Sequence, residues 1–183
     1  MPKIRDAGIL ILATDGFEQL ELTVPRDELR KKGAKVDVAT PSGSAIKGWN
    51  KTDWGERAPA DLKIADVDAS RYDALVLPGG VINPDKLRVD AQAMNVVNKF
   101  LTEGKVVAAV CHAPWLLVQA GRARGRKMTS YASIRKDVEN AGAEWIDEAV
   151  VTDDGIITSR NPDDPPAFVA KRIRNWHQRM RRT

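Results

Sequence analysis

The sequence predicts an α/β fold built on an open, mostly parallel sheet. Four short apolar runs point there: Gly8–Ala13, Lys35–Thr40, Ala74–Leu77 and Val106–Val110. Their few polar breaks are typical of strands covered on both faces. Amphipathic stretches of helical period alternate with them. Three of these stretches stop at glycine and lead into an apolar run, the joint expected where the residue past a helix takes a positive φ. Repetition of that unit argues for right-handed crossovers between parallel strands.

The elements follow in order. The start, MPKIRD and then AGILILAT, resembles the basic and apolar regions of a signal peptide. The apolar run continues into TDGFEQLE with no cleavage pattern, so a buried first strand is expected. A helix is expected over Pro25–Lys32, with proline in its first turn and Gly33 as its stop. After the second strand, Pro41–Ala60 reads as a surface excursion pinned by Trp49 and Trp54, a binding loop being the other reading. Asp90–Glu103 begins with a capping Asp, sets Met94, Val97 and Leu101 along one face, and ends at Gly104. Gly121–Lys127 reads as a basic, solvated loop, a phosphate grip being the other reading. Ser133–Ala141 repeats the helix scheme with a Ser cap and Gly142 as stop. Ala149–Thr152 and Ile156–Ser159 form a hairpin on the Asp154-Gly155 turn. A last helix from about Pro166 places Val169, Ile173, Trp176 and Met180 inward. One domain over 1–183 is expected, with a basic helical tail at about 171–183.

Composition excludes several classes. With 43% hydrophobic and 30% charged residues, the chain is not a mostly disordered one. The single cysteine, Cys111, rules out an intrachain disulfide framework and suits a reducing compartment. Two histidines and one thiol are too few for a dedicated His/Cys metal site. Neither glycine-rich phosphate-binding pattern is present, so no cofactor is expected. The net charge of +4 is local: residues 171–183 carry six Lys/Arg and no acid, which leaves −2 for residues 1–170. Nucleic acid is therefore not expected as a partner. No apolar run reaches the roughly 18 residues of a spanning helix, so a cytoplasmic protein with no membrane partner is expected.

Cys111 directly follows the run Val106–Val110 and precedes His112-Ala113-Pro114. Proline suits a first helical turn, so the thiol falls on a sharp strand-to-helix turn, the geometry of a nucleophile elbow. A helix N-terminus there would lower the thiol pKa, and His112 is a base beside it. A buried cysteine closing a core strand is the other reading. Pro78-Gly79-Gly80 ends another strand and leaves backbone N–H groups free for an oxyanion; a plain tight turn is the alternative. Both turns meet at the strands' carboxyl ends, where open sheets build their sites. Glu18 follows the first strand at the same edge, either as a carboxyl sharing a proton with the thiol or as a solvated first-turn acid. His177 lies in the basic tail and is read as solvated.

The assembled residues resemble the PfpI-type intracellular protease family of the DJ-one superfamily, within the class I glutamine amidotransferase-like proteins. The matching pieces are Phe17-Glu18-Gln-Leu-Glu-Leu22, Asp73-Ala-Leu-Val-Leu-Pro-Gly-Gly80, Ala109-Val-Cys-His-Ala-Pro114 and Arg124-Gly-Arg-Lys-Met-Thr-Ser130. Asn140-Ala-Gly-Ala-Glu-Trp145 and Thr158-Ser-Arg-Asn-Pro-Asp-Asp164 complete the set over roughly residues 7–170. Thr52-Asp-Trp-Gly55 and Ser159–Phe168 look most like the bacterial general-stress branch. The resemblance implies a flavodoxin-like three-layer sandwich with a mostly parallel central sheet. It implies Cys111 as nucleophile, Glu18 as the carboxyl bonded to its sulfur, and His112 as base. The backbone of Gly79, Gly80 and His112 would then form the oxyanion pocket. It also implies a homodimer or larger ring, in which a neighbouring subunit's acid completes a triad; the matching residue is Asp85, one carbon shorter than the family's glutamate. The implied activity is that of a stress-response cysteine hydrolase acting on a peptide or a small carbonyl adduct. A redox-sensing protein whose cysteine is oxidised without turnover is the alternative.

Overall fold

The computed structural model describes residues 4–161. The last helix expected from about Pro166 and the basic tail lie outside the described residues. In chain order the strands and helices are β1 (Gly8–Leu12), β2 (Phe17–Glu18), α1 (Gln19–Lys31), β3 (Lys35–Thr40), β4 (Ile46–Asn50), β5 (Asp53–Ala58), β6 (Leu62–Lys63) and β7 (Ala74–Leu77). Then come α2 (Ile82–Leu87), α3 (Ala91–Thr102), β8 (Val106–Val110), α4 (Pro114–Gln119), β9 (Lys127–Met128), α5 (Arg135–Asn140), β10 (Glu144–Trp145), β11 (Val150–Asp153) and β12 (Ile156–Ser159).

The central sheet has seven strands in the order β11-β12-β8-β7-β1-β3-β6. Every pairing in it is parallel except β11 with β12. Successive side chains of a strand point to opposite faces, and the core divides accordingly. Leu10, Leu12, Leu75, Leu77, Val107 and Ala109 pack with Val97 and Phe100 of α3 and with Leu116 and Leu117 of α4. Ile9, Ile11, Ala74, Val76, Val106 and Ala108 pack with Leu22 and Leu29 of α1. Helices on both faces of a mostly parallel sheet make the expected three-layer sandwich.

The four expected central strands are present, and so is the hairpin. Its turn residues Asp154 and Gly155 have φ of 41° and 80°, the left-handed pair that a tight Asp-Gly turn requires. Three local expectations are corrected. Helix α1 begins at Gln19, not Pro25, and carries Pro25 in its interior. Burial of Glu21, Leu22, Pro25 and Leu29 along one face outweighs the lost backbone hydrogen bond. Ser133 does not cap a helix: Ala132–Ile134 is a 3₁₀ turn and α5 starts at Arg135. The stretch after Gly142 enters β10, which pairs with β9 outside the central sheet.

The segment 41–60 is more ordered than a pinned excursion. β4 and β5 form an antiparallel hairpin that Lys51 turns with φ 58°, and Trp49 meets Trp54 edge-on at 5.5 Å. β4 also pairs with β2, setting Trp49 beside Glu18. Among the described residues, no helix is long and apolar enough to cross a membrane.

The cap of α3 provides a stability test. The Asp90 carboxylate accepts from the N–H groups of Gln92 (2.8 Å) and Ala93 (3.1 Å). Asp90→Ala is expected to cost about 1 kcal/mol in a urea titration, with the slope unchanged.

Candidate active site

At the end of β8 the chain reverses at Cys111, whose φ of 61° is uncommon for a residue other than glycine. Two backbone hydrogen bonds hold it there. Its N–H donates to the Ser159 carbonyl (2.9 Å) and its carbonyl accepts from Tyr131 N–H (2.8 Å). Ala113 N–H bonds back to the Val110 carbonyl at 2.9 Å, and Pro114 opens α4. The expected sharp elbow is formed.

Four groups converge on the sulfur. His112 Nδ1 lies 3.1 Å from Sγ. The backbone N–H groups of Gly80 and His112 both hydrogen-bond to the thiol. The fourth is the Glu21 carboxyl, which lies against the thiol; its Oε2 accepts from Gly79 N–H at 2.7 Å, and its Oε1 is buried with no hydrogen-bond partner. Gly79 has no room for a side chain: a Cβ would stand 2.6 Å from Glu21 Oε2 and 2.7 Å from Cys111 Cβ. Gly80 takes φ +76°, and its Cβ would meet the Gly16 carbonyl oxygen at 2.5 Å. Asn83 pins this turn, its Nδ2 donating to the Pro78 carbonyl and its Oδ1 accepting from Thr14 N–H, both at 2.7 Å.

Burial sets the electrostatics. Glu21 is fully enclosed, which pushes its pKa up to about 8; the Gly79 N–H offsets this in part and nearby Glu18 adds to it. At neutral pH it is therefore a protonated acid. Burial also raises the Cys111 thiol well above the ordinary range, and Glu21 reinforces the rise against the Gly80 and His112 N–H groups. The expectation of a lowered thiol pKa is thus corrected. The sulfur's residue is only 5% exposed, and α4 is a short helix of 6 residues that cannot offset that desolvation. His112 is lowered by burial and stays a neutral imidazole. Its ring stacks on Tyr131 (4.8 Å, 25°) and tilts against Trp115 (5.4 Å).

A cavity of about 690 Å³ opens over this cluster, walled by Glu18, Trp49, Lys51, Val81 and Tyr131 with Cys111 and His112 at its base. The structure brings Cys111, His112 and Gly80 together. Gly79 is adjacent, but its N–H is already bonded to Glu21. Glu18 stands in the cavity wall, its pKa raised by burial and drawn back by the Lys51 N–H and charge. The carboxyl that lies against the thiol is Glu21, one helical turn further along. A signal for it was present in the sequence: Glu21, Pro25 and Leu29 share one helical face, and an acid on an apolar face is anomalous. Asp85 does not reach His112 within one chain. It lies more than half exposed on α2 and pairs with Arg88 at 2.6 Å.

This sandwich, with its cysteine on a strand-to-helix elbow beneath convergent backbone donors, is that of an elbow-type α/β protein. The chain belongs to the DJ-1/PfpI family, whose model matches residues 7–175. It is 44% identical over 169 residues to Protein/nucleic acid deglycase 2 of Escherichia coli, covering 91% of this chain and 95% of that protein. To General stress protein 18 of Bacillus subtilis it is 42% identical over 162 residues, covering 87% and 92%. The crystal structure of Drosophila melanogaster DJ-1beta superposes with a TM-score of 0.84 at 30% identity, covering 96% of this chain and 90% of that one.

Glu21 makes stability depend on pH. Its folded pKa lies above its unfolded value, so its contribution is fully present below about pH 4.5 and is lost as pH rises toward about 8. Melting curves are expected to fall across that interval in the wild type. In Glu21→Gln the fall should be shallower, leaving the variant relatively more stable at pH 8–9 than at pH 5.

Proposed function

We propose that the protein is a cysteine-dependent hydrolase in which Cys111 attacks a carbonyl carbon. The observation that carries this reading is the 3.1 Å contact between Sγ and His112 Nδ1 on a turn where two N–H groups face the sulfur. Because the thiol is raised and the imidazole is neutral, the route is general-base attack rather than a standing thiolate. For a peptide or acylated amine, the thiol proton passes to Nδ1 as sulfur bonds to carbon. The carbonyl electrons move to oxygen, received by the Gly80 and His112 N–H groups. As the carbonyl re-forms, the amine leaves with the proton from Nδ1. Water then hydrolyses the thioester and restores the thiol. On a small carbonyl adduct the sulfur instead displaces the amine from the carbinol carbon, the amine leaving with the proton from Nδ1. The resulting hemithioacetal releases the free carbonyl compound as the thiol regains its hydrogen from the carbinol hydroxyl.

The relatives' names favour amines carrying small carbonyl adducts as substrates, with peptides second. A cavity of about 690 Å³ suits either a small adduct or a short side-chain segment. The redox alternative draws on the same donors, which would hold an oxidised sulfur, but a raised thiol slows its reaction with peroxide at neutral pH. In a self-associated form, Asp85 would be the acid offered across subunits, after release from Arg88.

Cys111→Ser is expected to abolish release of amine from a methylglyoxal-modified lysine derivative and from a peptide substrate, with the melting temperature little changed. Turnover undiminished in that variant would sink the mechanism. His112→Ala should lower kcat by about 10²- to 10⁴-fold, as loss of a general base does.

A further inference from the structure

We propose that Ser133 is a positioning residue that completes a single-chain Cys111–His112–Ser133 relay by holding the His112 proton on Nε2. The inference rests on the hydrolytic reading above and deepens it. A neutral imidazole has one N–H and one lone pair, and the nitrogen that faces the thiol must be the bare one if it is to take the proton. Here Nδ1 faces Sγ at 3.1 Å, so the working form carries its hydrogen on Nε2. Nε2 lies 3.0 Å from Ser133 Oγ, which is placed to accept that hydrogen. Tyr131 and Trp115 against the ring restrict its tilt, so the two edges stay aimed at sulfur and hydroxyl.

The placement of Ser133 has a local cause. The 3₁₀ turn Ala132–Ile134 follows Tyr131, whose N–H is tied to the Cys111 carbonyl. The elbow and the serine are therefore fixed by one backbone link. Ser133 does not cap α5, whose flanking residue makes no side-chain cap bond. Its residue is exposed in the cavity wall, so solvent can satisfy the hydroxyl hydrogen while the oxygen accepts from Nε2–H. When Nδ1 takes the thiol proton, the same oxygen keeps its bond to the imidazolium. Asp85, tied to Arg88, does not supply this contact within the chain.

The test uses the full chain and two readouts. Nitrogen NMR of the imidazoles at pH 8, assigned against His177→Gln, should show the wild-type His112 hydrogen on Nε2. Ser133→Ala should give a mixture of the two forms, and Ser133→Thr should restore the single form. In amine release from the methylglyoxal-modified lysine derivative, Ser133→Ala should lower kcat about three- to tenfold with KM unchanged, the size of one ordinary hydrogen bond, and Ser133→Thr should recover it. Imidazole signals unchanged in Ser133→Ala would overturn the proposal. So would a raised KM with kcat intact, which would mark Ser133 as a substrate contact. The NMR outcome does not depend on turnover, so failure of the hydrolytic reading in Cys111→Ser is seen separately.

Discussion

One buried carboxyl organises the carboxyl edge of the sheet. Glu21 projects from α1 into a space where solvent does not reach, and accepts from the Gly79 N–H of the turn after β7 while meeting the thiol of the turn after β8. Three segments far apart in sequence thereby share one contact. Removing the acid without replacing its shape would leave a buried N–H unpaired, a loss larger than the bond's net worth. The absence of side chains at Gly79 and Gly80 is what lets these backbones approach.

That arrangement decides the chemistry open to the thiol. A charged Glu21 would repel a thiolate, whereas a neutral acid can share a proton with sulfur without that penalty. Burial likewise holds the thiol and the His112 imidazole in their neutral forms. Desolvation acts on all three groups in the same direction, toward the uncharged species. In the proposed reaction, charge appears only where the Gly80 and His112 N–H groups already stand.

The sheet is readable because four of its five inner strands are nearly continuous apolar runs, and the joints because glycines such as Gly33 and Gly104 take the positive φ that a helix stop requires. The elbow was readable from a thiol placed between such a strand and Pro114. Pro25 reads as a helix start, since proline is costly in an interior, and that reading hides the turn that carries Glu21. Burial of the whole face, a tertiary effect, reversed that local preference. Glu18, the acid nearer the strand in sequence, consequently stood in for the one that the helix turns inward. Trp49 and Lys51 reach the cavity through pairing of β4 with β2, a contact over thirty residues that no local pattern encodes. The partner of His112 Nε2 was likewise hidden, because Ser133 reads as a helix cap until the 3₁₀ turn is seen.

The near-complete enclosure of Cys111 changes what folding means for this residue. In an unfolded or nascent chain its sulfur is an ordinary thiol, open to any electrophile in solution. Folding raises the cost of ionising it, so its general reactivity is suppressed as the sheet closes. In the proposed hydrolase, reactivity returns only to molecules that enter the cavity and meet the base and donors together. On that proposal, assembly of the fold works as a filter, converting a promiscuous group into one that discriminates by shape.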